Sequence, residues 1–271
     1  MLAPLVLLAA CAHPVRGFSE SGSDAEGVPD LLDAQSFAPP IHKPAASPAD
    51  GVVAAQPLPM PMAWKHYKLP GKAATKFRAA KLEGRKGVGV SAQASASMLR
   101  YKLRVAPQDL LALKFSWKVP SLIEGADLSV RELDDSPVRI VLAFEGDYAK
   151  FSARNAVLSE LSRSITGEPL PYATLMYVWS NLGAPESVVH NPRTDRIRKV
   201  VVESGGKNLG QWLDYERDIR ADFVKAFGEE PGALLGVALM TDTDNTRSSA
   251  TAWYGPVSLQ MAPRVAATGA P

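Results

Sequence analysis

The sequence predicts a mainly β domain, an antiparallel jelly-roll-like β-sandwich with one or two short helices behind a disordered Pro/Ala-rich tether. Three observations predict it. Short stretches with a hydrophobic period of two recur along the last three quarters of the chain. Gly, Pro, Asp and Asn clusters separate them. Helical stretches do not alternate regularly with them, which excludes a doubly wound parallel sheet. The chain has 271 residues, 46% of them hydrophobic, enough for one large β domain with a core.

The first elements in chain order are not sheet. The run PLVLLAA ends at Cys11, the single cysteine. Leu8-Ala9-Ala10-Cys11 reads as a lipobox: an apolar stretch, two small residues that fit a peptidase, then a thiol that carries lipid. No Lys or Arg precedes the run, so the positive n-region of a signal is missing. The reading is a signal segment over 1–10 and a lipid attachment at Cys11, with export to the periplasm or cell envelope. One cysteine excludes an intramolecular disulfide framework and a Cys-rich zinc site. Residues 11–63 are a tether. Eleven of the 22 prolines fall within the first 70 residues, and proline neither joins a central strand nor continues a helix.

From Trp64 the sandwich begins, and it is expected to run to residue 260, with 261–271 as a disordered tail. Residues 74–82, 87–93 and 96–105 are the first strand candidates. In 110–119, Leu111, Leu113, Phe115, Trp117 and Val119 share one face, and Ala112, Lys114, Ser116 and Lys118 the other. In 137–145, Ile140, Leu142 and Phe144 oppose Arg139, Val141, Ala143 and Glu145. Residues 172–180, 196–204, 234–242 and 250–259 complete nine or ten short strands. A helix is expected over 148–166, with Phe151, Val157, Leu158, Leu161 and Ile165 mostly three to four apart, stopped by Gly167. A second is expected over 218–228, closed by Gly228. Before it, alternation puts Trp212, Asp214, Glu216 and Asp218 on one face, an acid–base candidate or a charged edge that resists aggregation.

Charge and motifs limit the chemistry. Thirty Lys+Arg against 28 Asp+Glu leave +2, so there is no global basic field for nucleic acid. Gly87-Val88-Gly89-Val90-Ser91-Ala92 fits a dinucleotide fingerprint, but a polar stretch precedes it and a strand follows, so the match is rejected. Arg193, Arg196, Arg198 and Lys199 form a basic run that reads as a solvated strand face. There is no GxSxG, HExxH or Walker loop, and the four histidines are scattered.

Two constellations remain. Asp242, Asp244 and Asn245 crowd oxygen atoms into a loop, which suits Ca2+ with Asp242 and Asp244 as ligands, or a hydrogen-bonded turn. It is no EF-hand, because Arg247 and Trp253 stand where Gly and Glu belong. Tyr177 and Trp179 alternate on one strand face, and Trp212 and Trp253 lie in other strands. Such rings stack on sugars when they face solvent and fill the core when they do not. Arg139, Glu145, Glu203 and Asp242 would supply polar partners. The ligand-binding candidates are thus Arg139, Tyr177, Trp179, Glu203, Asp242, Asp244 and Asn245.

Several blocks together resemble a bacterial family, the domain of unknown function 3047. They are LKFSWKVP (113–120), DDSPVRIVLAF (134–144), PYATLMYVWS (171–180), QWLDYERDIRADFVKAFGEEP (211–231), LGVALMTDTDNT (235–246) and AWYG (252–255). The resemblance covers about residues 64–259 and implies exported proteins with one β-rich domain and no established activity. It marks Trp117, Asp135, Arg139, Phe144, Tyr177, Trp179, Trp212, Asp222, Asp242, Asp244 and Asn245 as matching positions. The strand order is similar to jelly-roll carbohydrate-binding modules at the level of fold.

The functional expectation is an envelope-tethered, non-catalytic binding module for a glycan or other envelope component. It would be monomeric, reach the membrane through its lipid only, and need no cofactor or Ca2+ alone. The alternatives are a hydrolase or lyase on an envelope polysaccharide, with Asp242, Asp244 and Glu203 as acid–base or metal-ligating groups, and a structural or assembly lipoprotein.

Overall fold

The computed structural model describes residues 64–262. The signal segment, Cys11, the tether to residue 63 and the tail from residue 263 lie outside the described residues. Thirteen strands follow: β1 (Lys65–Lys68), β2 (Lys76–Leu82), β3 (Arg85–Gln93), β4 (Ala96–Val105), β5 (Leu110–Lys118), β6 (Ser136–Phe144), β7 (Ala173–Ser180), β8 (Val188–His190), β9 (Ile197–Ser204), β10 (Trp212–Asp218), β11 (Leu234–Asp242), β12 (Ser249–Tyr254) and β13 (Ser258–Met261). The two α-helices are α1 (Ala153–Thr166) and α2 (Ile219–Phe227). The strands form two sheets, β1-β4-β11-β6-β7-β9-β8 and β10-β5-β12-β3-β2, and β13 pairs with β5. The sandwich expectation holds, with one addition: β7 and β9 pair in parallel, while the other paired strands run antiparallel.

The alternation read from the sequence builds the core. Leu113, Phe115 and Trp117 of β5 and Ile140, Leu142 and Phe144 of β6 meet Tyr177, Trp179, Val200 and Tyr254 between the sheets. Apolar area removed from water stabilises this layer at about 25 cal/mol per Å2. The two sheets differ in their outer faces. In the six-stranded sheet that face is polar: Lys114, Ser116 and Lys118 of β5 stand beside Asp214 and Glu216 of β10. In the seven-stranded sheet it is also covered. Val141, Met176, Val178, Val201, Ala238 and Met240 form a second buried cluster there with Leu128, from the 120–134 connection.

The helices begin and end where their caps place them. Asp218 accepts from the amide of Ala221 at the start of α2, and Ser152 from that of Asn155 at the start of α1. Gly228 and Gly167 end them in the left-handed conformation. α2 buries Ile219, Phe223 and Ala226, and Phe223 packs edge-on to Phe144. α1 starts five residues later than expected, after a separate 3-10 turn at Tyr148–Lys150. It also sits the other way round. Asn155 and Ser159 are its buried residues, while Val157, Leu161 and Ile165 are exposed. No helix among the described residues is long and apolar enough to cross a membrane.

Candidate functional site

The pairing of β11 with β6 sets the chemistry of one end of the seven-stranded sheet. Asp242 stands opposite Ser136 in that ladder, with a register shift beside it. The residues before β6 and the loop after β11 therefore meet. Asp135 accepts from the amides of Asn245 (3.2 Å) and Thr246 (2.7 Å) and from the Thr246 hydroxyl (2.7 Å). The Asn245 side-chain amide donates to the Asp134 carbonyl at 2.9 Å. Asp135, Asp242 and Asp244 each bring one carboxylate oxygen within 4.8 Å of the others.

Two buried cations, Arg139 and Lys199, and the exposed Lys72 surround this cluster. Arg139 reaches Asp134 at 3.2 Å and Asp242 at 3.4 Å. Lys199 donates to Asp134 at 2.6 Å and to the Leu128 carbonyl at 2.9 Å. Lys72 pairs with Asp244. Burial pushes Lys199 down to about 8, helped by the Arg139 charge and opposed by Asp134. Burial raises Asp242 to about 8; Arg139 opposes this, and Asp244 and Asp135 reinforce it. For Asp244 burial also raises, but the hydrogen bond from Asp242 and the Lys72 partner outweigh it and hold the pKa low.

One atom decides what the cluster can do. Asp242 Oδ1 is buried and has no hydrogen-bond donor. Carboxylate oxygens of Asp135 and Asp244 lie close to this side chain, and a shared proton or a cation would satisfy it. Hard oxygen donors of this kind suit Ca2+, with Asp135, Asp242 and Asp244 as the residues that would hold it. The expected ligands Asp242 and Asp244 thus converge, and Asp135 joins them. Asp134, which sequence reasoning left out, supports them, and so does Lys199, which was expected on a solvated strand face but is fully buried. The signal for Lys199 was a lysine in the apolar run KVVVES.

Of the other expected site residues, the buried Arg139 and the half-buried Asn245 belong to this cluster as its partners. Glu203 does not: its carboxylate accepts from Tyr215 (3.0 Å), Asn208 (3.1 Å) and the Ser204 amide (3.0 Å). Tyr177 and Trp179 need correction as ligand-stacking rings. Both are fully buried on the inner face of β7. The Tyr177 ring stacks on Phe115 at 5.6 Å, and the Trp179 indole donates to the Gly205 carbonyl at 3.0 Å. No face of either ring is open to a ligand.

The solvent-facing aromatics are elsewhere. In the ladders of β5, Lys118 is the register partner of Trp212 on one side and of Trp253 on the other. The three side chains form a row across β10, β5 and β12 on the polar outer face. Both tryptophans are half-buried. Trp253 lies beside Gly89 of β3, where an added Cβ would touch its ring at 3.5 Å, so the indole lies low over the backbone. The Arg85 guanidinium stacks on Trp212 at 4.8 Å and holds Asp214 with both nitrogens. Gly87 and Gly89 are thus strand residues facing β12, consistent with the rejected fingerprint.

No curated protein matches the chain. Among solved structures it is similar to the family 11 carbohydrate-binding module of the cellulosomal cellulase Lic26A-Cel5E of Clostridium thermocellum. That match has 12% identity, covers 78% of this chain and 97% of that one, and has a TM-score of 0.38. It is also similar to the xyloglucanase domain of NopAA, a type three effector from Sinorhizobium fredii, in complex with cellobiose. There the identity is 8%, the coverage 73% and 98%, and the TM-score 0.36. At these scores neither carries a fold or a function over to this chain. The family match rests on sequence and spans residues 62–258, nearly the whole described sandwich. The chain belongs to the family described as protein of unknown function (DUF3047).

Proposed function

We propose that the chain is a non-catalytic glycan-binding module of the cell envelope, lipid-anchored at Cys11, whose ligand lies on the outer face of the six-stranded sheet. The observation that carries this is the Trp212–Lys118–Trp253 row. Sugar rings have apolar C–H faces and a rim of hydroxyls. Two indoles separated by two strand spacings, roughly 9.6 Å between backbones, suit two positions along an extended chain. Lys118, Arg85 and Asp214 supply donors and acceptors beside them. The aspartate cluster, on the other sheet, is a cation staple between the start of β6 and the end of β11.

The test is calorimetry against soluble glycans and peptidoglycan fragments, with Trp212→Ala and Trp253→Ala compared with the unaltered protein. Each substitution should weaken binding at least tenfold, about 1.4 kcal/mol, and leave melting nearly unchanged. Binding that both substitutions leave untouched, or no binding across the screen, removes the reading. Lipid anchoring is tested by fractionation: Cys11→Ala should move the protein from membrane to soluble fractions.

One observation favours an enzyme instead. Asp242 and Asp244 are carboxylates pushed in opposite directions, the pattern of an acid and a base. Their side chains are only 9% and 14% exposed, which leaves little room for a substrate between them. Polysaccharide cleavage lost in both Asp242→Asn and Asp244→Asn, in folded proteins, would favour this reading.

A further inference from the structure

One cleft outside these sites combines a cavity, unpaired positive charge and a helix terminus. Its volume is about 290 Å3, and it opens between the start of α1 and the connection from β8 to β9. Arg154, Arg193 and Arg198 line it with His190, Asn155 and Thr194. Nine arginines among the described residues have a carboxylate within ion-pair distance. Five have none, Arg78 and Arg247 elsewhere and Arg154, Arg193 and Arg198 together in this cleft. Arg198 is the sharpest case. Its Nε is buried without a partner, and Nη1 donates to the neighbouring Ile197 carbonyl at 3.3 Å. Burial lowers its pKa, so the charge is held at a cost.

The cleft is also fixed in shape. Asn155 is 3% exposed, accepts from the Thr194 hydroxyl at 2.8 Å and donates to Asp195. These bonds clamp the connection to the first turn of α1. Asp195, the one carboxylate lining the cleft, is held by Asn155 and lies 3.6 Å from Arg196. Asp195 compensates Arg198 only without an ion-pair contact, the neighbouring Arg196 charge opposes it, and the positive end of a 14-residue helix adds to the field. An oxyanion relieves all of these at once. Guanidinium forks match phosphate oxygens in pairs.

We propose that this cleft binds the phosphate group of a small phosphorylated ligand. Its volume suits one sugar-sized molecule. The basic run of β9 and the loop before it is therefore a recognition element and not only a solvated face. This site stands apart from the tryptophan row and does not depend on it.

The test is calorimetric titration of the full chain with inorganic phosphate, glucose 6-phosphate, glucose and glucuronate. Phosphate and glucose 6-phosphate should saturate one site, glucose should not bind, and added salt should weaken binding. Arg198→Gln and Arg193→Gln should each weaken it at least tenfold, while Trp212→Ala leaves it unchanged. Arg193 is exposed, so its variant carries the test if Arg198→Gln disturbs folding. Absence of saturable phosphate binding, affinity unmoved by Arg193→Gln, or glucuronate binding as tightly as glucose 6-phosphate would overturn the proposal.

Discussion

Asp242→Asn removes the one ionisable proton that the aspartate cluster needs. In the absence of metal, burial raises Asp242 from 3.8 to about 8. Between those values the folded protein holds a proton that the unfolded chain has released, so stability falls as pH rises. At about 1.36 kcal/mol per pH unit the cost is on the order of 4 kcal/mol at pH 7 and on the order of 2 kcal/mol at pH 5. The change from pH 5 to pH 7 is on the order of 3 kcal/mol, or about 6–12 °C in Tm for a domain of this size. Asp244 does not disturb this window, because its pKa is lowered and it is ionised in both states there. His66 acts in the opposite sense: burial lowers it, so it gains stability as pH rises. The difference between the unaltered protein and the variant cancels that contribution. The assay is thermal unfolding at pH 5 and pH 7, with chelator and with Ca2+. In chelator the unaltered protein should lose stability on going to pH 7 and Asp242→Asn should not. Ca2+ at 100 times its Kd should then raise the stability of the unaltered protein by about 2.7 kcal/mol and leave the variant unmoved. Equal pH slopes, or an equal response to Ca2+, would refute both the buried proton and the cation staple.

Three further substitutions probe what holds the sandwich. Trp179→Ala should cost about 3–5 kcal/mol in urea unfolding, since it empties a fully buried site, whereas Trp212→Ala on the open face should cost far less. Lys199→Ala leaves the buried Asp134 carboxylate without its 2.6 Å partner and should cost about 3–5 kcal/mol; adding Asp134→Asn should recover much of the loss. Gly87→Ala would place a Cβ 2.0 Å from the Tyr254 carbonyl oxygen, so β3 and β12 must separate, with an expected loss of about 1–3 kcal/mol in the same assay.

The sandwich was legible because β5 and β6 carry their period of two openly, and the helix stops at Gly167 and Gly228 follow from backbone conformation alone. Other features have no local signal. β1 and β8, with four and three residues, are strands because a neighbouring edge pairs with them. The apolar stripe Val157–Leu161–Ile165 predicts the buried face of α1, yet Asn155 turns that helix by bonding to Thr194 and Asp195. The Asp-Thr-Asp-Asn loop advertised oxygen ligands, but its third carboxylate, Asp135, lies more than a hundred positions earlier. Only the β11–β6 ladder brings it in.

The tryptophans show which part of the site could have been read more closely. β7, with Ala173, Leu175, Tyr177 and Trp179 on one face and Thr174, Met176, Val178 and Ser180 on the other, is buried at every position. A strand whose two faces are both largely apolar is covered on both sides, so its aromatic rings belong to the interior. β10 and β12 read differently. Trp212 shares its face with Asp214 and Glu216, and Trp253 shares its face with Ser249 and Thr251. A tryptophan whose neighbours two positions away are polar stands on a solvated face. The polarity of those neighbours, rather than the presence of a ring, separates a stacking platform from core. By that criterion the sequence favours Trp212 and Trp253, and the Lys118 register explains why two strands that are distant in the chain present them as one row.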